Sequence, residues 1–201
     1  NIIIAGHGRV GGMVARVLRA AGHTPTVIDY SSKQLDMLEK FGVKAYFGDA
    51  SRPDLLHAAG IHDAKLIVIA IDNKDQITEM VHYIHTNHPS VHIMARAIDR
   101  THVYELYAAG CRDIIRETYD STLRMSRSVF EALGLSREKA TALVEAFDSS
   151  DRRIMLEVAP TYKIGVPPTQ IPEFMEAVNK GLTVWQEELS ESMQKILAKK
   201  D

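Results

Sequence analysis

Ile2-Ile3-Ile4-Ala5-Gly6-His7-Gly8-Arg9-Val10-Gly11 is the stretch that decides the fold. A short apolar run that stops at a glycine is the pattern of a strand buried on both faces of a parallel sheet. Val10, Val14, Val17 and Leu18 then recur at helical spacing, and Gly22 closes the helix. The three glycines of the motif stand on a strand-to-helix turn, each with its own task. Gly6 permits the tight turn, Gly8 lets the backbone approach phosphates, and Gly11 lets the helix pack on the strand. Phosphate oxygens would sit at the helix N terminus, where backbone N–H groups point outward. Asp29 ends the next apolar run, Thr26-Val27-Ile28, 23 residues after Gly6. A carboxylate there accepts hydrogen bonds from ribose hydroxyls, and its charge disfavours a 2'-phosphate. The implied ligand is an adenine nucleotide. The competing reading has the glycines only shape a turn and Asp29 only cap the next helix. It leaves their joint spacing unexplained.

The alternation continues outward from this unit. Ser31-Ser32 can cap a helix carrying Leu35, Leu38 and Phe41, stopped by Gly42. Residues 44–47 read as a third strand, and Leu55, Leu56 and Ala59 as a short helix ending at Gly60. Residues 66–71 form a continuous apolar run, hence a central strand. Asp72-Asn73 can cap a helix through Ile77, Met80, Val81 and Ile84. Residues 92–97 read as a fifth strand, Val103, Leu106 and Tyr107 as a helix closed by Gly110, and residues 113–116 as a sixth strand. This predicts an α/β fold, a Rossmann-like doubly wound parallel six-stranded sheet. Analogy with that class supplies the strand order 3-2-1-4-5-6. In such a sheet the ligand lies beyond the C-terminal strand ends, where the order reverses. Asp49, beside Ala50, faces the adenine side. It either accepts from the exocyclic amine or caps the helix near Pro53. Asp72 stands at the crevice. Arg9, inside the turn, and Arg96, near the end of strand five, are cations placed to reach it.

The pattern changes at Thr118. Leu123, Val129, Phe130 and Leu133 outline one helix, and Ser136 can cap a second through Ala140, Leu143, Val144 and Phe147. Residues 153–159 read as either a helix end or a strand. Residues 160–172 hold four prolines and one glycine and read as a loop. Phe174, Met175, Val178, Leu182, Trp185, Leu189 and Met193 outline one or two amphipathic C-terminal helices. The expected division is 1–117, a nucleotide-binding domain; 118–159, a helical arm; and 160–201, a proline-containing linker with amphipathic helices. A sheet complete at 117 does not need the additional helices. They are expected to cover a partner, a second copy or another part of a parent protein, the alternative being that they pad one face of their own domain.

Composition narrows the function. The 201 residues are 45% hydrophobic with a formal net charge of -2. The basic face that a nucleic-acid partner requires is not supported. The single cysteine, Cys111, excludes an intrachain disulfide and suits a reducing compartment. Cys111 is read as a small filler or a regulatory thiol. No apolar run approaches the roughly 20 residues of a membrane span, and no signal peptide is expected. The chain starts one residue before its first strand, so a piece cut from a longer polypeptide is expected. There is no serine in a G-x-S-x-G setting and no C-x-x-C pair. His82, His85 and His88 share one helix face, as a metal site or, more simply, a solvent-facing polar stripe. His7 needs no catalytic role. A dehydrogenase normally adds a domain with an acid–base group, whereas mainly helical residues follow here. Nucleotide binding without chemistry is the resulting expectation, with an NAD-dependent oxidoreductase as the weaker alternative.

Residues 1–151 also resemble a known family. The matching stretches are Ile3-Ile4-Ala5-Gly6-His7-Gly8-Arg9-Val10-Gly11, Lys40-Phe41-Gly42-Val43-Lys44, Gly48-Asp49-Ala50, Asp54-Leu55-Leu56, Ala59-Gly60, Ala70-Ile71-Asp72, Ala95-Arg96-Ala97, Ala109-Gly110 and Arg116-Glu117-Thr118. They resemble the cytosolic nucleotide-binding domain of bacterial potassium transport proteins, the TrkA-N, RCK or KTN group, and within it the C-terminal domain of Kef-type potassium efflux proteins, monovalent cation–proton antiporters. The resemblance implies a regulatory domain that gates transport, at the cytoplasmic face of the bacterial inner membrane, with the membrane transporter domain upstream in the same polypeptide. A peripheral TrkA-type potassium-uptake subunit is the alternative within the group. The resemblance implies a homodimer formed by the helices after strand six, which makes 118–159 a dimerisation arm. It implies AMP or NAD(H), bound and not turned over, in contact with Gly6, His7, Gly8, Arg9, Val10, Gly11, Asp29, Tyr30, Asp49, Ala50, Ala70, Ile71, Asp72 and Arg96. It places a glutathione-type ligand at Arg16, Arg116 and Asp151. The glutathione-gated proteins carry asparagine where this chain has Asp151, and aspartate repels a carboxylate. Ser149-Ser150 and Ile98 depart from the family pattern as well.

Overall fold

A computed structural model describes residues 1–199, apart from the side chains of residues 34, 35 and 37. The expected helix contact of Leu35 therefore lies outside the described residues. Two compact units emerge, Asn1–Ile115 and the residues from Arg116 onward.

The first unit is built around β1 (Ile2–Ala5), whose Ile3 and Ile4 have no solvent exposure. β2 (Thr26–Asp29) and β4 (Leu66–Ile69) flank it in parallel, with Ile4 opposite Val27 on one side and Val68 on the other. β3 (Ala45–Phe47), β5 (His92–Ala97) and β6 (Asp113–Arg116) complete the order β3-β2-β1-β4-β5-β6. The predicted order is therefore observed. β4 stops two residues earlier than the apolar run suggests, because its partner β1 ends at Ala5 where Gly6 turns away. Continuous apolar strands need cover on both faces. α1 (Arg9–Ala20) supplies part of it, with Val10, Val14, Ala15 and Leu18 packed in one cluster with Val27, Leu38, Val43, Val68 and Ala70. α4 (Lys74–Asn87) buries Ile77, Met80, Val81 and Ile84, the face its spacing predicts. Of the two candidate caps it is Asn73 whose carbonyl accepts from the Gln76 N–H. The helices α2 (Ser32–Lys40), α3 (Pro53–Ala58) and α5 (Arg100–Ala108) complete the alternation.

The second unit is helical. α6 (Tyr119–Ala132) and α7 (Arg137–Val158) pack on one another, with Ser136 accepting from the Lys139 N–H as the cap of α7. The ambiguous residues 153–159 belong to α7 and its closing turn, not to a strand. The spacing explains this: Ala140, Leu143, Asp151, Ile154 and Val158 carry one helical face through that segment. The proline-rich segment holds two single turns of 3-10 helix, Ala159–Thr161 and Pro168–Gln170. α8 (Pro172–Lys180), one π-helical turn and α9 (Gln186–Ala198) follow. They pack back on α7, burying Phe174 and Trp185. Arg153 of α7 pairs with Glu188 at 2.6 Å and stacks over the Trp185 ring. The C-terminal helices thus cover a face of their own unit. Among the described residues no helix is long and apolar enough to cross a membrane.

Candidate functional site

The glycine turn has the steric form that its sequence requires. Gly6 sits at φ +90°, a conformation that side chains with a Cβ rarely adopt. A Cβ on Gly11 would stand 1.9 Å from the Gly6 carbonyl oxygen, so the helix can approach the turn only with glycine there. Around Gly8 the space is open. Gly8 is the N-cap of α1 and makes no side-chain cap, and the first helical turn carries no acid. The backbone N–H groups at that end are left for an anion. Arg9 is exposed beside them, and Tyr30 is exposed at the end of β2.

Asp29 is held rather than loose. One oxygen accepts from the His7 N–H at 2.5 Å and the other from the Ser31 N–H at 2.8 Å. It ties the end of β2 to the glycine turn, and each oxygen keeps a lone pair for a ribose hydroxyl. Asp49 likewise accepts from the Ser51 N–H and hydroxyl, and from the Gln76 amide at 3.4 Å. Of the two readings of Asp49, the helix cap is not observed: Arg52 is the N-cap of α3, and Asp49 shapes the turn leading to it. Ala50 and Ala70 are buried. Arg96 is buried where β4 and β5 end. Its Nη1 donates to the Ala70 and Ile71 carbonyls, both at 3.4 Å, and to Asp72 at 2.7 Å. The guanidinium clamps the two strand ends and presents the exposed Asp72 at the crevice.

The three residues expected around a further ligand fall in different surroundings. Arg16 is exposed in the first unit and lines a cavity of about 360 Å³ with His7, Arg19, Leu38, Phe41 and Val43. Arg116 and Asp151 belong to the second unit, where they form an ion pair. Asp151 is only 3% exposed, on the inner face of α7. Arg116 also stacks over the Tyr119 ring at 3.4 Å, and Tyr119 donates to Asp148 at 3.0 Å. Burial and the Asp151 charge push the Tyr119 phenol well above its ordinary value.

Other expectations change on inspection of the packing. His82 and His85 are exposed, but His88 is buried. It leaves the helical stripe because it is the C-cap of α4. Its ring packs 5.6 Å from His57 and 5.0 Å from His62. Among the described residues no group of acidic, histidine or cysteine side chains is arranged to hold a metal ion. The Cys111 thiol donates to the Ile93 and Asp113 carbonyls, and burial pushes its pKa up to about 11. A thiol so buried and protonated does not suit a regulatory role.

Sequence reasoning overlooked His102. It is fully buried, and burial pulls its pKa down to about 4 from an ordinary 6.5. The folded state thus takes up a proton less readily than the unfolded chain. Its stabilising share is complete above pH 6.5 and is lost as the pH falls towards 4, for a total of about 3 kcal/mol. Unfolding free energies by urea at pH 7 and pH 4.5 are expected to fall more steeply in the wild type than in His102→Gln. Equal pH slopes would refute this.

A strand, a glycine turn, a helix and an acid closing the second strand define the class of Rossmann-like domains that carry a phosphate-binding turn. Within that class, the family model of the TrkA-N domain matches residues 2–117, and the chain belongs to this family. It is 35% identical over 159 residues to the glutathione-regulated potassium-efflux system protein KefC of Cronobacter sakazakii, covering 79% of this chain and 26% of that protein. KefC of Salmonella typhi matches with the same identity and coverage. The chain thus spans about a quarter of the length of the curated relatives it matches. Among solved structures it is similar to the Shewanella denitrificans Kef C-terminal domain in its AMP-bound form. There the TM-score is 0.74 and the identity 40%, over 80% of this chain and 99% of that one. The TrkA-N domain of the Escherichia coli inner membrane protein YbaL matches at TM-score 0.59 and 26% identity, over 66% of this chain and 96% of that one.

Proposed function

We propose that this chain is the regulatory nucleotide-binding domain of a potassium-efflux or cation–proton antiport protein, acting at the cytoplasmic face of the membrane. An adenine nucleotide, AMP or NAD(H), is held over residues 6–11, with its phosphate on the α1 N terminus and its ribose against Asp29. It is bound and not turned over. The observation that carries this reading is the glycine turn itself. Gly11 admits no Cβ, Gly8 faces open space, and Asp29 is fixed against the same turn. The AMP-bound state of the similar Shewanella domain supports it. Asp49, Ala50, Ala70, Ile71, Asp72 and Arg96 border the remainder of the proposed site. Mass spectrometry of small molecules released from the purified protein is expected to find AMP or NAD. Calorimetry with both nucleotides, and an unchanged NADH absorbance over hours, complete the test. Protein with no released nucleotide and no binding heat, or steady conversion of NAD, would overturn it.

The domain acts as a homodimer in this reading, with a membrane transporter domain of the same polypeptide as its output. Support for the dimer comes from α6, where Met125, Val129 and Leu133 stand one turn apart and are 67%, 52% and 72% exposed. Such a stripe is the seam of a helix that packs on another. Val129→Asp is expected to weaken self-association at least about 30-fold by analytical ultracentrifugation. A wild type that sediments as a monomer at micromolar concentration would sink the dimer. Arg16 and Arg116 remain the candidate anchors of a glutathione-type ligand. Asp151 competes with such a ligand for Arg116.

A further inference from the structure

α4 begins at the crevice and is tied to both of its sides. Towards β3, the Gln76 amide donates to Asp49 at 3.4 Å. Towards α5, Lys74 pairs with Glu105 at 2.8 Å, and Thr78 meets the His102 ring at 3.2 Å. His102 lies in the first turn of α5, where its own N–H is taken by the cap residue Asp99 at 2.7 Å. Its Nδ1 accepts from the Ile98 N–H at 3.1 Å, so the ring proton sits on Nε2. Nε2–H therefore donates to the Thr78 hydroxyl, which in turn donates a hydrogen bond to the Lys74 carbonyl at 3.2 Å. Charged groups near the ring are Lys74 and Asp75 on α4 and Asp99 ahead of α5. One neutral ring thus joins the β5–α5 turn, through Ile98, to the first turns of α4, through Thr78. Between these two elements lie the strand ends that Arg96 clamps to Asp72.

We propose that His102 is the positioning residue of the nucleotide crevice. It sets the separation between the α4 N terminus and the first turn of α5 through its bond to Thr78, and so the place of Asp72 and Asn73 against the bound nucleotide. This inference rests on the nucleotide-binding reading above. Both ring nitrogens of His102 are taken, by Ile98 and by Thr78, so the proposed effect is confined to the far side of the crevice. The two ring bonds can be separated. His102→Gln places an amide N–H near the position of Nε2, keeping the link to α4 and removing the acceptor for Ile98. His102→Asn places a carbonyl near the position of Nδ1, keeping Ile98 and removing the link to α4. Thr78→Val removes the acceptor on α4 and leaves the histidine in place.

The test is calorimetric titration of the full chain with AMP, and in parallel with NAD, alongside thermal unfolding of each variant. His102→Asn and Thr78→Val are expected to weaken nucleotide binding about tenfold, the loss of one buried bond. His102→Gln should stay within about threefold of the wild type, rescuing affinity although its stability also falls. Affinities that simply track the melting temperatures, or that do not move, overturn the proposal and leave His102 a packing residue. Should His102→Asn fail to fold, Thr78→Val against His102→Gln decides by the same criterion. A wild type that binds neither nucleotide overturns the nucleotide reading, and the proposal with it. Binding by the wild type with an unchanged Thr78→Val affinity overturns the proposal alone.

Discussion

Gly11→Ala is expected to abolish detectable nucleotide binding and to destabilise the first unit by about 3 kcal/mol. The added methyl would stand 1.9 Å from the Gly6 carbonyl oxygen, 3.0 Å from its carbon and 3.2 Å from Ile4. Two of these contacts are backbone, so no side chain can rotate to relieve them. Either the turn opens or α1 lifts from β1. In both cases the N–H groups at the start of α1 lose their common focus, and an anion loses its seat. Gly8→Ala is the matching control. Gly8 has φ -74°, which alanine adopts freely, and its Cβ would meet nothing within 4 Å. Its stability should stay within about 1 kcal/mol of the wild type. Its methyl would project where a phosphate approaches, so affinity should still fall. Urea unfolding and calorimetry with AMP on both variants separate folding from binding. A Gly11→Ala protein with wild-type stability would show that the helix does not approach the turn this closely.

Asp151→Ala is expected to cost the second unit about 3 kcal/mol. Asp151 lies on the inner face of α7 and Arg116 is 16% exposed, so removing the carboxylate leaves a largely buried guanidinium without its counter-charge. Burying a charge without such a partner is what makes the loss larger than for a surface pair. The stacked Tyr119 supplies only part of the compensation. Asp151→Asn keeps the volume and one acceptor and should lose less than half as much. The asparagine variant also tests the ligand proposal, because it frees Arg116 for another carboxylate. Glutathione should bind Asp151→Asn at least about tenfold more tightly than the wild type, the gain from one charge-assisted bond. Equal affinities would remove Arg116 from the proposed ligand site. An Asp151→Ala protein as stable as the wild type would show that the ion pair carries no stability.

Much of the first unit is legible in its sequence because the signals are local. The Ile2-Ile3-Ile4 run, the turn glycines and the acid Asp29 lie within one β–α–β unit, where spacing maps directly onto geometry. Asn73 and Ser136 were readable as caps because a cap contacts a backbone group three residues away. Residues 153–159 were ambiguous because seven residues are too few to separate a helical period from an alternating one. Asp49 resisted for another reason. Its readings as an acceptor for the adenine amine or as a helix cap leave out its contact with the Gln76 amide, 27 residues on.

The strands, their alternation with helices and the anchoring turn were determined by the sequence alone, since continuous apolar runs and glycine spacing act over a few residues; the strand order follows from analogy with the fold class. The partners of the buried polar groups were decided only by the tertiary structure. By resemblance Asp151 is a ligand position, and only the folded second unit shows it buried beside Arg116, 35 residues away. His102 carries no signal in its local sequence, and its burial appears only where α5 meets Thr78 of α4, 24 residues away. A polar side chain is tolerated in a core only where a complementary group arrives from elsewhere in the chain. No local pattern records that arrival.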